Sequence, residues 1–169
     1  MTDQTRVKFF LDGEPVEASP GETIWEVARR QGTEIPHLCH RPEPGYRPDG
    51  NCRACMVEIE GERTLAASCI RRPAPGMRVH TVGERAERAR SMVFEMLIAD
   101  KPPRSTAHDP DSAIWRWAER LVIDSSRLPA RRPPQPDRSH PAMAVFLDAC
   151  IHCTLCVRAC REVQVNDVI

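Results

Sequence analysis

Gly50-Asn51-Cys52-Arg53-Ala54-Cys55-Met56-Val57-Glu58-Ile59-Glu60 decides how this chain is read. It opens with a Cys-x-x-Cys turn, which delivers two thiolates from one tight bend. It then runs without a break into a strand in which Val57 and Ile59 alternate with Glu58 and Glu60. The chain turns at Glu60-Gly61 and resumes at Arg63 to Ile70, the return strand of a hairpin that carries Cys69 near its end. Upstream, Ile35 to Asn51 holds four prolines and two glycines around Cys39, a composition that disfavours regular structure and suits a loop wrapped around something.

Further out, Val7 to Leu11 is an apolar strand, Asp12-Gly13 a hairpin dipeptide and Pro15 to Ala18 the returning strand. Pro20-Gly21 breaks the chain. Thr23, followed three residues later by Glu26, forms a capping box ahead of a helix over Ile24 to Gln31, closed by Gly32, with Ile24, Val27 and Ala28 on its apolar face. Met77 to Val82 supplies one more strand. The first ~80 residues therefore read as a small, mostly β unit with one helix across it, burying one face of the sheet. Apolar residues recur at helical spacing from Glu84 to Asp100 (Ala86, Ala89, Val93, Met96, Leu97), ended by Lys101-Pro102-Pro103. Ser112 to Ile123 is a second short helix with Ile114, Trp115, Ala118 and Leu121 or Val122 available to pack against a partner surface. Leu128 to Pro141, with five prolines, reads as a linker, and Met143 to Leu147 as a short strand leading into a second cysteine group.

The whole chain has 169 residues, 41% of them hydrophobic, enough for one compact domain and a second small unit. Its 24 Lys and Arg are balanced by 24 Asp and Glu, so the basic surplus of most nucleic-acid binders is missing. No apolar run approaches the roughly 20 residues that span a bilayer, and Met1 to Phe10 lacks the cleavage site of a signal peptide. The expectation is a soluble, cytoplasmic protein without a membrane span. Thiols there stay reduced, so clustered cysteines point to metal or catalytic sites rather than to disulfides.

The eight cysteines form two groups of four, with none in the eighty residues between them. In the first, Cys39, Cys52, Cys55 and Cys69, a single Cys-x-x-Cys turn is flanked by two isolated cysteines. That is closer to a plant-type [2Fe-2S] site, with three ligands from a loop and a fourth from a distant segment, than to a zinc ribbon with its two paired turns. The departure is the first gap, twelve residues here where plant-type ferredoxins have four. Zinc and four buried, unligated thiols remain as alternatives. The second group, Cys150, Cys153, Cys156 and Cys160, has the spacing of a ferredoxin-type [4Fe-4S] run, with Arg161 where the usual run has proline. In two-cluster proteins the first three cysteines of such a run bind one cluster and the fourth binds the other. No second run follows here. His37 and His40 flank Cys39 and open a Rieske-like alternative, but four cysteines already complete that site. There is no nucleophile elbow, P-loop or dinucleotide fingerprint, and no catalytic residue is assigned. Electron transfer is what remains.

Pro20-Gly21-Glu22-Thr23-Ile24-Trp25, Ile35-Pro36-His37-Leu38-Cys39 and Gly50-Asn51-Cys52-Arg53-Ala54-Cys55-Met56-Val57-Glu58 together resemble a known module. It is the N-terminal ferredoxin-type domain shared by the large iron-sulfur subunit of respiratory NADH dehydrogenase and by NAD-dependent formate dehydrogenase α subunits. The resemblance implies an α+β architecture: a β-grasp [2Fe-2S] domain over residues 1–83 with Cys39, Cys52, Cys55 and Cys69 as ligands, and a helical connector over 84–127. A Pro-rich linker over 128–142 and the first half of a 2x[4Fe-4S] ferredoxin-type domain over 143–169 complete it. The respiratory enzymes usually carry a segment of one histidine and three cysteines next, and residues 99–130 contain no cysteine. Ala107-His108-Asp109-Pro110-Asp111-Ser112 with Trp115 and Trp117, and Cys156 to Ile169, instead resemble the formate dehydrogenase branch.

In that family the polypeptide continues into a molybdenum or tungsten pterin domain that oxidises formate, which this sequence lacks, so a truncated product, a split gene or a fragment is expected. The resemblance implies an electron relay between a Mo/W-pterin formate site and a flavin/NAD-binding iron-sulfur partner subunit. Cys150, Cys153 and Cys156 would serve one [4Fe-4S] cluster and Cys160 the next, a set that stays incomplete in this chain. The alternatives are the matching subunit of an NAD-reducing hydrogenase or of respiratory NADH dehydrogenase and, from another class, a zinc-stabilised interaction module docking through the helix of Trp115 and Trp117.

Overall fold

A computed structural model describes residues 6–132 and 134–166. The last three residues of the Cys156 to Ile169 stretch lie outside the described residues. The chain divides into two compact units, Met1–Arg90 with Thr154–Ile169, and Ser91–Cys153.

The first unit is built on strands β1 (Val7–Leu11), β2 (Glu14–Ala18), β3 (Met56–Ile59), β4 (Ala66–Ala67) and β5 (Arg78–His80), with helix α1 (Ile24–Arg30) between β2 and β3. The sheet order is β2-β1-β5-β3-β4; β1 and β5 run parallel and the other neighbours antiparallel. Asp12 and Gly13, both at positive φ (52° and 89°), make the two-residue turn between β1 and β2 whose twist matches the strands. Phe9 and Leu11 on β1, Val57 and Ile59 on β3 and Val79 on β5 are buried together with Ile24, Val27 and Ala28 of α1. The two-residue alternation of the strands thus meets the apolar stripe of one helix. The far end of the parallel pair is tied by Asp12, whose carboxylate accepts from the Thr81 amide and hydroxyl, both at 2.6 Å.

The capping box forms as the sequence predicts: Thr23 Oγ1 accepts from the Glu26 amide and the Glu26 carboxylate accepts from the Thr23 amide at 2.7 Å. The return strand expected over Arg63 to Ile70 is cut to Ala66–Ala67. The cause is a competing demand for its backbone. The carbonyls of Ser68 and Arg71 accept from the Trp25 and Ile24 amides at 3.0 and 2.9 Å, so this segment leaves the sheet to satisfy the open amides of α1.

Helix α2 (Glu84–Ala99) begins in the first unit and ends in the second, which contains α3 (Ala113–Arg120) and the hairpin β6 (Asp137–His140) and β7 (Met143–Val145). Phe94, Ile114, Trp115 and Ala118 are buried there, whereas Val122, expected on the same face, is 90% exposed because α3 ends at Arg120 and Val122 turns away at positive φ; Arg127 closes on Glu95 at 2.8 Å. Lys101, nearly buried, donates to the carbonyls of Asp148 and Cys150. The Pro-rich stretch expected to be linker throughout contains β6, because Asp137 to His140 is free of proline and Pro141-Ala142 turns it onto β7. A short helix, α4 (Leu155–Arg158), continues through a π turn, Ala159–Val163, and belongs to the first unit. Among the described residues, no helix is long and apolar enough to cross a membrane.

Candidate metal centre

One helix end positions both halves of the first cysteine group. Trp25 is 4% exposed and its indole N–H donates to the Ile35 carbonyl at 3.2 Å, pinning the segment that carries Cys39. The first amides of α1 hold Ser68 to Arg71, the segment that carries Cys69. The β3–β4 register places Met56 opposite Ala67, so Cys55 and Cys69 meet at the same end of that hairpin. Ser68 reinforces this end, its amide and hydroxyl donating to the Cys55 carbonyl at 3.1 and 2.8 Å. His37 and His40 pack edge-on against Trp25, with ring centroids 4.7 and 4.4 Å away. His40 is buried and neither of its ring nitrogens has a hydrogen-bond partner.

The structure brings Cys39, Cys52, Cys55 and Cys69 together as two thiol pairs. Cys39 and Cys52 exchange backbone N–H to Sγ hydrogen bonds, and electrostatics tie each thiol most strongly to one partner, Cys39 to Cys52 and Cys55 to Cys69. The turn between Cys52 and Cys55 passes through Arg53 at φ 59°, in the left-handed region, and aims backbone amides at sulfur. Cys39 N–H donates to Cys52 Sγ at 3.4 Å, Cys52 N–H to Cys39 Sγ at 3.3 Å and Ala54 N–H to Cys52 Sγ at 3.5 Å. Such donors favour the thiolate over the thiol. The hydrogen bond from Cys39 brings Cys52 down to about 6, against the cost of burial, and the bond from Cys69 brings Cys55 down to about 7. Cys39 and Cys69, the donors, are pushed up by giving their protons to those bonds and by burial. Each pair therefore has one member poised to ionise.

A [2Fe-2S] cluster needs two thiolates at each of two irons, and two adjacent pairs fit that demand.

The second group is divided between the two units: Cys150 and Cys153 belong to one, Cys156 and Cys160 to the other. Cys150 and Cys156 are exposed, Cys153 is half-buried, and Cys160 is buried with its thiol donating to Asn166 Oδ1 at 2.8 Å. His152 and Thr154 hold positive φ, so the run turns sharply at each Cys-x-x-Cys step.

Two arginines at the first site carry no sequence signal. Arg158, 4% exposed, donates to the carbonyls of Cys39 at 2.5 Å and Arg47 at 2.7 Å. Arg90, on α2, donates from two nitrogens to the Met56 carbonyl at 2.9 and 2.6 Å, and burial lowers its affinity for the proton. Charged residues in helices read as solvated in a sequence, and only packing turns these two inward.

The family model of the 2Fe-2S iron-sulfur cluster binding domain matches residues 4–84. Residues 4–84 belong to that family. The chain as a whole is an iron-sulfur electron-transfer segment related to NADH dehydrogenase, formate dehydrogenase and NAD-reducing hydrogenase. It is 32% identical over 93% of its length to the mitochondrial NADH-ubiquinone oxidoreductase 78 kDa subunit of Candida albicans, covering 22% of that protein. It is 28% identical over its full length to the putative formate dehydrogenase YrhE of Bacillus subtilis (strain 168), covering 18% of it. A chain in the crystal structure of an NAD+-reducing [NiFe]-hydrogenase in the H2-reduced state is 33% identical and superposes with a TM-score of 0.79 over 95% of this chain and 68% of that one. The chain thus spans about a fifth of the length of these two curated relatives. Identity runs only from 28% to 33% across the three and does not choose among them.

Proposed function

We propose that this chain is the iron-sulfur relay of an NAD-dependent formate dehydrogenase α subunit, carrying electrons between a Mo/W-pterin formate site and a flavin/NAD-binding iron-sulfur partner subunit in the cytoplasm. The observation that carries the relay reading is the pair of thiol pairs. Cys39 and Cys52 hold one iron of a [2Fe-2S] cluster and Cys55 and Cys69 the other. Bound there, the cluster supplies one-electron carriage. The protein's part is to fix the four thiolates, to aim the amides of Cys39, Cys52 and Ala54 at sulfur, and to exclude water with Trp25, Leu38 and Ala54, all buried. Formate chemistry is assigned to the Mo/W-pterin part of that enzyme.

Two observations favour the formate branch. Residues 99–130 lack any cysteine, and the likeness to YrhE runs through the entire chain. Cys150, Cys153 and Cys156 are assigned to one [4Fe-4S] cluster and Cys160 to its neighbour, on the spacing of the run. A second reading, the relay subunit of an NAD-reducing hydrogenase, is favoured by the 68% of the hydrogenase chain that is covered.

Iron, zinc and acid-labile sulfide analysis with reduced-state EPR on the anaerobically purified chain tests the relay. About two irons and two sulfides per chain are expected from the first site, and Cys55→Ser abolishes that signal. Zinc without sulfide overturns the reading. Reduction of the cluster in extracts of the source cells separates the branches: formate drives it in the first reading, and hydrogen in the second.

A further inference from the structure

Arg158 lies between Cys156 and Cys160 in sequence but acts, in the fold, on the other cysteine group. The guanidinium is 4% exposed, and its two terminal nitrogens are spent on the carbonyls of Cys39 and Arg47. The buried Nε has no hydrogen-bond partner, and the carboxylate it meets, Asp49 Oδ2, stands 3.9 Å away, beyond hydrogen-bond reach. Asp49 also accepts from Thr154 Oγ1 at 3.1 Å, so part of its charge is engaged at the foot of α4. Arg47, whose carbonyl Arg158 grips, reaches back to Glu162 at 2.9 Å, closing the same segment onto the Cys39 loop from outside. A permanently charged group, buried and held mainly by carbonyl dipoles, retains a field that water does not screen.

We propose that Arg158 is a positioning residue for the first cysteine group, holding the Cys39 loop closed and raising the reduction potential of the cluster bound there by placing a buried positive charge, only partly offset by Asp49, against its ligand segment. The inference rests on the [2Fe-2S] reading above. Reduction adds one electron, hence one negative charge, to the cluster, and a nearby buried cation stabilises the reduced form more than the oxidised one. At the effective dielectric of a protein interior, one such charge is worth on the order of a tenfold change in the reduction equilibrium. For a one-electron couple, tenfold is 59 mV.

The test is EPR-monitored titration of the whole chain with dithionite as electron donor, comparing the unsubstituted protein with Arg158→Gln and Arg158→Lys. Arg158→Gln keeps a donor for one carbonyl and loses the charge; its potential falls by about 59 mV, a tenfold weaker reduction equilibrium. Arg158→Lys keeps the charge and loses the fork, so its potential stays within about a third of that fall while amide exchange of residues 38–40 quickens. If Arg158→Gln takes up no cluster, the comparison moves to Asp49→Asn, which removes the opposing carboxylate and raises the potential. Unchanged potentials in Arg158→Gln, or in Asp49→Asn where the first is not loaded, overturn the inference. An unsubstituted chain with no [2Fe-2S] signal overturns the underlying site reading instead.

Discussion

Gly50→Ala tests whether the loop ahead of Cys52 is held by backbone geometry. Gly50 sits at φ +62°, and a Cβ there would lie 2.8 Å from Ile70 Cδ1 and 3.3 Å from both Cγ1 and Cγ2. A single L residue in the left-handed region costs about 1–2 kcal/mol. The stiffer unfolded chain of the alanine variant returns roughly 0.4–1 kcal/mol of that. The overlap is extra: Ile70 is 44% exposed and gives way only by leaving its rotamer, at about 0.5–1.5 kcal/mol. Together these predict a loss of about 0.5–3 kcal/mol in the first unit, centred near 2 kcal/mol. The amides of Phe10 and Asp12, which bond to Met77 and Val79 across the parallel pair at 2.8 Å, report it by hydrogen exchange, with roughly 2- to 150-fold faster exchange expected. Adding Ile70→Ala removes the overlap but leaves the φ cost, so the double-mutant cycle returns a coupling of about 0.5–1.5 kcal/mol. Exchange within about twofold of the parent, together with no coupling to Ile70, would refute the argument.

Two further outcomes follow from the same unit. Asp12→Ala leaves the buried Thr81 amide and hydroxyl without their acceptor and costs about 1–3 kcal/mol by the same exchange measurement; Asp12→Asn, which keeps one acceptor oxygen, costs less. Thr23→Ala opens the capping box of α1 and costs about 1 kcal/mol. Because the first turn of α1 also holds the Cys69 segment, its exchange at Ser68 to Arg71 rises with that of α1, and independent behaviour of the two segments counts against one helix end positioning the site.

Elements governed by local rules were legible in the sequence. The Asp12-Gly13 turn, the capping box and the alternation over Val57 and Ile59 need only neighbouring residues to be favourable, and each forms where the pattern puts it. Elements that depend on distant partners were not. The strand expected over Arg63 to Ile70 shrinks to two residues because α1, some forty residues earlier in the chain, takes its carbonyls. Residues 137–140 pair as β6 although the surrounding prolines read as linker.

The same division runs through the candidate metal centre. The sequence by itself determined which residue types gather: four cysteines around one Cys-x-x-Cys turn, on a unit whose periodicities are those of a sheet with one helix across it. Spacing along a chain carries no information about distances in space between its far segments. Only the tertiary structure decided that Cys39 lies against Cys52 and that Cys55 and Cys69 share one end of a hairpin, because this follows from Trp25 gripping Ile35 and from the β3–β4 register. Only the tertiary structure turned Arg158 from a helical charge into a buried one. A guanidinium leaves water only where carbonyls are already fixed to receive it, and those of Cys39 and Arg47 lie more than a hundred residues away in the chain.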